Sequence, residues 1–185
     1  MRKFKTILKY WLIVALATTA FCGLAYTTIQ QTLRQGANDP QIQMAEDIAN
    51  ELENGETVTS VTPTNQVDLA HSLAPFVILF NDQGTQIASS GRLHGQSPTL
   101  PGGVLDYVQR HGEDRITWQP EHGVRIATVV IGYSGTNPGF VLVGRSMREV
   151  ERRIDQITLF CGVTWIATLG LALIVITAGE YLLSG

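Results

Sequence analysis

The sequence has few cysteines and confines its lysines to one end. Of its 185 residues only Cys22 and Cys161 are cysteines, and every lysine lies within the first nine residues. Both cysteines fall in apolar stretches, so the polar middle of the chain contains no thiol. This excludes a disulfide-stapled domain and a thiolate metal site in that region.

Charge is missing from two stretches of 20 residues each, 10–29 and 157–176. A helix of that length spans about 30 Å, the thickness of a bilayer's hydrocarbon core. We therefore predict two transmembrane helices, with a domain of residues 30–156 between them and tails of residues 1–9 and 177–185. The first stretch also fits a cleaved signal peptide, but its length and the helix-compatible residues after it favour an uncleaved anchor.

The charge distribution predicts an orientation. Arg2 and all three lysines precede the first apolar stretch, and basic residues favour the cytoplasmic side of a membrane. Both termini are then cytoplasmic and residues 30–156 are extracytoplasmic. That segment contains nine arginines and fifteen acidic residues, a net charge of −6, which argues against nucleic acid as a partner.

Periodicity in the middle segment predicts an α+β domain, with about five short strands in one antiparallel sheet and flanking helices. Asn38-Asp39-Pro40 suits a helix start, and Gly36 suits a bend before it. We expect residues 57–65 to form a loop or edge strand, and residues 91–103 to be irregular. The predicted helices are residues 40–54 and 104–111, and the predicted strands are residues 76–80, 85–90, 115–119, 124–133 and 140–145.

A heptad pattern follows the last predicted strand. Met147, Val150, Ile154, Ile157 and Cys161 are spaced 3, 4, 3 and 4 residues apart. Such a seam predicts a helix that runs from the sheet into the second apolar stretch. It suits a homodimer interface, a rigid element that transmits movement, or both.

The two cysteines fall at comparable depths if the apolar helices are antiparallel. Cys22 and Cys161 would both lie toward the outer leaflet of the membrane. They could meet, or they could serve as two small packing residues.

Several segments together carry a resemblance. The basic tail, the helix start at Asn38, and the stretches VILFNDQG, TLPGGVLDYV and GFVLVGRSMREVERRI, in this order between two apolar stretches, resemble the extracytoplasmic input half of bacterial sensor histidine kinases. The resemblance implies a PAS-like (PDC/Cache-type) sensor domain in the bacterial inner membrane. It further implies a role in two-component signalling, in response to an unidentified small-molecule or protein signal; the homodimer is predicted from the heptad seam.

The kinase half of that family has no counterpart in this sequence. The chain stops about where a HAMP-type linker would begin, and it contains no glycine-rich ATP loop. We therefore expect no enzyme and no cofactor, with output through a partner kinase or receptor. A truncated kinase is the alternative, and so is an envelope assembly protein whose outer domain binds another protein.

Candidate binding residues are polar groups on otherwise apolar strands. Arg125, Tyr133, Trp118 and Arg145 could together hold a small carboxylate, because arginine binds carboxylates with two parallel hydrogen bonds. An edge arginine with a solvated head is the alternative for Arg125. The four histidines lack the spacing of a metal site, and no G-x-S-x-G motif is present.

Overall fold

A computed structural model describes residues 2–36 and 39–183 of the chain. These divide into a sheet unit, Arg34–Glu151, and a helix pair formed by residues 2–33 and 152–183. Asn38, the bend predicted after Gly36 and the end of the predicted tail, 184–185, lie outside the described residues. In chain order the elements are α1 (Arg2–Gly36), α2 (Asp39–Glu53), α3 (Val58–Val61), β1 (Val67–Asp68), β2 (Phe76–Asn81), β3 (Gln86–Ser89), β4 (Gly91–Arg92), α4 (Val104–His111), β5 (Glu113–Glu121), β6 (Val124–Tyr133), β7 (Gly139–Ser146) and α5 (Arg148–Leu183).

The main sheet of the sheet unit has five antiparallel strands in the order β3-β2-β7-β6-β5. This confirms the predicted fold class, α+β with a five-stranded antiparallel sheet and flanking helices. The central strand is β7, where Leu142 pairs with Ile78 of β2 on one side and Val130 of β6 on the other. The strand that precedes α5 therefore lies in the middle of the sheet.

Both faces of the sheet are covered, as the unbroken apolar run in β2 predicts. On one face α2 packs through Ala45, Ile48 and Ala49 against a cluster that includes Val77 and Leu79. On the other face α4 packs through Val104 and Val108 against a cluster that includes Phe76 and Phe80. Alternation along the strand sends successive side chains into these two separate cores.

Glycine makes room for Phe76, the largest fully buried side chain of the second core. A Cβ at Gly144 would lie 2.5 Å from Cζ of Phe76, and a Cβ at Gly91 would lie 2.6 Å from its Cδ2. The ring therefore lies directly over the backbone of two neighbouring segments. Full burial of such a side chain stabilises the fold by about 1.5–3 kcal/mol.

Two segments differ from their predictions. Residues 57–65, predicted to be a loop or edge strand, contain the short helix α3, because Thr57 Oγ1 accepts a hydrogen bond from the backbone N–H of Ser60 (3.2 Å). Residues 91–103 begin with β4, which pairs in parallel with β1. A strand of two residues is too short to show a periodic sequence pattern. It is recognised only by its hydrogen bonds to the neighbouring strand.

The helix pair is antiparallel and joined by side-chain hydrogen bonds, from Trp11 Nε1 to Leu169 O (3.1 Å) and from Trp165 Nε1 to Thr19 Oγ1 (2.9 Å). Both helices are long and apolar enough to cross a membrane, judged by length and composition. Ile154 and Ile157 of the predicted seam are half-buried on the stripe of α5 that includes Trp165. That part of the seam therefore packs within the chain, and a dimer through it stays a prediction.

Candidate functional site

One side chain holds the turn between β2 and β3. Asn81 Oδ1 accepts hydrogen bonds from the backbone N–H groups of Gln83 (3.1 Å) and Thr85 (2.8 Å). Gly84 has a φ of 75°, which glycine adopts without strain. The turn therefore fixes the backbone from which Asp82 and Gln83 extend.

Residues 97–103 form a loop across from this turn. Pro98 and Pro101 restrict its backbone, because the proline ring locks φ. Ser97 Oγ donates a hydrogen bond to Gln86 Oε1 on β3 (2.8 Å). The loop is thus tied to the same hairpin as the turn.

A cavity of about 480 Å³ lies between the turn, this loop and α4. Its apolar part includes Phe80 and Phe140, each only 6% exposed. The volume falls within the range of small-molecule sites, roughly 300–1,000 Å³. We refer to it as the turn cavity.

The polar lining of the turn cavity consists of carboxylates, amides and hydroxyls. Its charged and amide side chains are Asp82, Asp106, Gln83, Gln86 and Gln109, beside the hydroxyls of Ser97 and Thr99, and among the described residues no lysine, arginine or histidine lines it. Ionised carboxylates only accept hydrogen bonds, whereas amides both accept and donate. The lining therefore suits a ligand that donates hydrogen bonds, such as an ammonium compound or a polyol, and disfavours an anion.

A second cavity of about 530 Å³ lies on the other side of the same loop, against Ile116–Pro120 of β5. Both cavities are lined by Thr99, Leu100 and Pro101. Trp118 lines the second cavity and is 4% exposed, and its indole Nε1 has no hydrogen-bond partner in the described part of the chain. Because three loop residues line both cavities, a ligand that moves them in one cavity alters the other.

The two predicted binding arginines are engaged within the sheet unit. Arg125 forms a salt bridge with Glu151 at the start of α5 (Nη1 to Oε1, 2.6 Å). Arg145 Nε donates a hydrogen bond to the backbone oxygen of Leu73 (2.8 Å). Both guanidinium groups therefore have internal partners where a ligand carboxylate was predicted.

The two predicted aromatic residues lie on opposite faces of the sheet. Trp118 belongs to the core on the α4 side, and Tyr133 belongs to the core on the α2 side. Burial raises the pKa of Tyr133, because the charged phenolate loses hydration. One small ligand on either face cannot reach both rings.

Side chains of the sheet unit fix the first turn of α5. Arg148 donates hydrogen bonds from Nη2 to the backbone oxygen of His71 (2.8 Å) and from Nη1 to that of Ala70 (3.3 Å). Met147, immediately before the helix, is 6% exposed. We call this group the α5 anchor; it comprises Arg125, Arg145, Met147, Arg148 and Glu151.

Two of the four histidines pair with acidic side chains at loop ends. His94 Nε2 lies 2.6 Å from Glu121 Oε2, and this hydrogen bond raises the pKa of His94. His71 Nδ1 lies 3.0 Å from Asp68 Oδ2, and that hydrogen bond lowers the pKa of Asp68. Within residues 2–36 and 39–183, no three histidine, cysteine or acidic side chains converge as a metal site would require.

Sequence reasoning did not identify the polar residues of the turn cavity. The charged and amide residues come from one hairpin and from α4, about twenty residues further along the chain, and each is an ordinary surface residue by itself. The available signal was the long irregular segment with two prolines, because long ordered loops often carry function.

No protein-family model and no curated protein matches this sequence.

Proposed function

We propose that this chain is a membrane-anchored extracytoplasmic sensor module of a two-component-type signalling system. In this proposal α1 and α5 cross the inner membrane, the sheet unit is a PAS-like domain outside, and both termini are cytoplasmic. The positive N-terminal tail and the uncharged stretches of both helices support this arrangement. The module acts as a homodimer on a partner kinase or receptor.

The observation that carries the proposal is the junction between sheet and helix. The central strand β7 ends at Ser146 and α5 begins two residues later. The α5 anchor holds the first turn, and α5 continues as one helix through the apolar stretch. A helix is stiff along its axis, so movement of β7 reaches the far end of α5 with little loss.

In this proposal the ligand binds in the turn cavity. Phe140 of β7 and Phe80 of β2 line that cavity and face each other in the sheet register. A ligand there contacts the strand that leads into α5. The ligand shifts the equilibrium only as far as its affinities for the two states differ.

The scarcity of exposed apolar side chains favours sensing over assembly as the role of the sheet unit. Among its described residues, the large hydrophobic side chains that are exposed are Ile87 and Tyr107. An assembly surface would present a larger contiguous apolar patch.

A chimera tests the transmission step. The chain is fused to a competent kinase body, and Gly-Gly is inserted after Glu149. We expect ligand-dependent kinase output to be lost, because a flexible joint absorbs the movement, while the sheet unit keeps its thermal stability.

The matched control inserts Ala-Ala at the same place, which changes length and helical phase equally but preserves stiffness. Output that survives Gly-Gly as well as Ala-Ala would contradict transmission through a continuous helix.

A ligand panel tests the turn cavity. Thermal shifts of the full chain in detergent are recorded with small ammonium compounds, polyols and carboxylates. We expect stabilisation by a member of the first two classes, and its loss in Asp106→Asn. Stabilisation by carboxylates alone would contradict the assignment of this cavity.

A further inference from the structure

The helix pair has a register that its own hydrogen bonds define. Thr158 Oγ1 donates to the hydroxyl oxygen of Tyr26 (3.1 Å), and Trp165 Nε1 donates to Thr19 Oγ1 (2.9 Å). From Thr19 to Tyr26 the chain advances seven residues, and from Trp165 to Thr158 it returns seven. The two helices therefore run in step across this interval.

Both cysteines lie inside that interval. Cys22 is three residues after Thr19, and Cys161 is three residues after Thr158. With the chains antiparallel, the two cysteines lie at the same level to within one residue, a rise of about 1.5 Å.

The cysteines also lie on the faces where the helices pack. On α1 the half-buried positions around Cys22 follow helical spacing, and they are Trp11, Ala15, Thr18 and Ala25. On α5 the positions around Cys161 do the same, and they are Ile157, Trp165 and Leu169. Side chains at these positions meet at the seam of an antiparallel pair. The two thiols therefore share one level and one seam.

Helix geometry gives the separation. Packed helix axes lie about 8–10 Å apart and each Cα lies about 2.3 Å from its axis, which leaves roughly 3.5–5.5 Å between directly facing Cα atoms. A disulfide accommodates Cα separations of about 4.4–6.8 Å. Ala25, a small half-buried neighbour of Cys22 on the same face, leaves room for a close approach.

We propose that Cys22 and Cys161 are a redox pair that closes an intrachain disulfide across the helix pair. Both S–H bonds break and one S–S bond forms, and the two electrons and two protons pass to a quinone, which becomes the quinol. A quinone is the acceptor because both thiols lie in apolar stretches that only a lipid-soluble oxidant enters. The bilayer setting rests on the proposed function.

The disulfide has a consequence for signalling. A covalent bond between α1 and α5 prevents one helix from sliding along the other. The reduced chain transmits movement of the sheet unit, and the oxidised chain does not.

Thiol counting in membranes tests the pair. Membranes that contain the full chain are treated with copper–phenanthroline or with a short-chain, fully substituted quinone, denatured and alkylated with a maleimide-polyethylene glycol. We expect both thiols to be lost to alkylation and regained after reduction, with monomer mobility throughout. The variants Cys22→Ser and Cys161→Ser each keep one reactive thiol.

A matched variant moves one thiol off the seam. Phe21 is 74% exposed, so Phe21→Cys combined with Cys22→Ala retains two thiols but turns one away from α5. We expect this variant to keep both thiols reactive. Three results would overturn the proposed disulfide. They are oxidation of this variant to the same extent as the original chain, formation of a disulfide-linked dimer, and thiols that remain free in the original chain.

Oxidation by copper–phenanthroline without oxidation by the quinone would overturn the assigned acceptor. The assay reads thiols and not signalling, so its failure leaves the sensor proposal standing.

Discussion

The two units place their apolar side chains in opposite ways. Of the 22 large hydrophobic side chains that are exposed in the described residues, 20 belong to the helix pair and two, Ile87 and Tyr107, to the sheet unit. The sheet unit buries its apolar residues in two cores. One sequence thus contains a part that folds around its own interior and a part whose apolar surface faces outward.

The proposed membrane arrangement accounts for this difference, because it gives the two units different surroundings. Water disfavours exposed apolar surface by about 25 cal/mol per Å², whereas the hydrocarbon of a bilayer imposes no such cost. In the proposed arrangement the boundary between the two media lies near residues 33 and 152, where the units divide. The following experiments test that boundary.

The largest effect concerns topology and is all-or-none. A reporter enzyme that folds only outside the cytoplasm is fused after Gly112 or after Gly185. We expect activity at Gly112 and none at Gly185, because all lysines precede the first apolar stretch. The reverse pattern would place the sheet unit in the cytoplasm and remove the basis of the sensor proposal.

The next effect concerns packing. Phe76 is 1% exposed in the sheet unit, whereas Phe160 of α5 is 69% exposed. We expect Phe76→Ala to lower the unfolding free energy of the sheet unit by about 3–5 kcal/mol. Phe160→Ala should change it by less than about 0.5 kcal/mol.

Pulse proteolysis of the full chain in detergent measures both variants. Similar losses in the two would show that the stability of the sheet unit depends on the outward face of α5.

A charge placed on each unit probes its surroundings. Ile166 of α5 is 65% exposed and Ile87 of the sheet unit is 44% exposed. Ile166→Asp should disfavour membrane insertion of α5 by about 2.5–3.5 kcal/mol, measured as the ratio of inserted to translocated chains by glycosylation mapping.

Ile87→Asp, the same chemical change in the sheet unit, should leave its unfolding free energy within about 0.5 kcal/mol. Insertion of α5 that tolerates Ile166→Asp as well as Ile166→Leu would show that this face does not meet lipid.

Sequence patterns predicted most accurately the helices and strands whose hydrophobic pattern extends over their full length. The ends of β6 and α4, at Val124, Tyr133, Val104 and His111, match their predictions. A β-branched run bounded by turn residues, and an amphipathic turn followed by glycine, determine structure locally.

The candidate site could not be predicted in the same way. The hairpin and the α4 side chains of the turn cavity meet only after the sheet has formed, and sequence spacing carries no trace of that proximity. An arginine in a strand has the same local pattern whether it binds a ligand or an internal carboxylate. Only the fold reveals that Arg125 pairs with Glu151.

The smallest effect concerns pH and lies wholly within the sheet unit. His94 pairs with Glu121, and that hydrogen bond and charge, with a smaller contribution from Asp68, raise the pKa of His94 above its usual value. A group whose pKa is raised on folding stabilises the fold fully below its unfolded pKa, about 6.5. The contribution is lost as pH rises through the folded pKa. Glu121→Gln removes the charge of Glu121 and so removes most of the pH-dependent part, leaving the smaller contribution of Asp68.

Thermal unfolding of the original chain and of Glu121→Gln, recorded from pH 5.5 to pH 8.5, measures that contribution. We expect the difference in Tm to be largest at the acidic end and to shrink toward the alkaline end. Because both side chains are exposed, the difference should also shrink at high salt, since solvent ions screen exposed pairs. The helix pair contains no histidine and provides the internal reference: hydrogen exchange of its segments, corrected for intrinsic rates, should not differ between the two proteins at any pH. A Tm difference that is constant or grows with pH would show that His94 is not protonated in this contact.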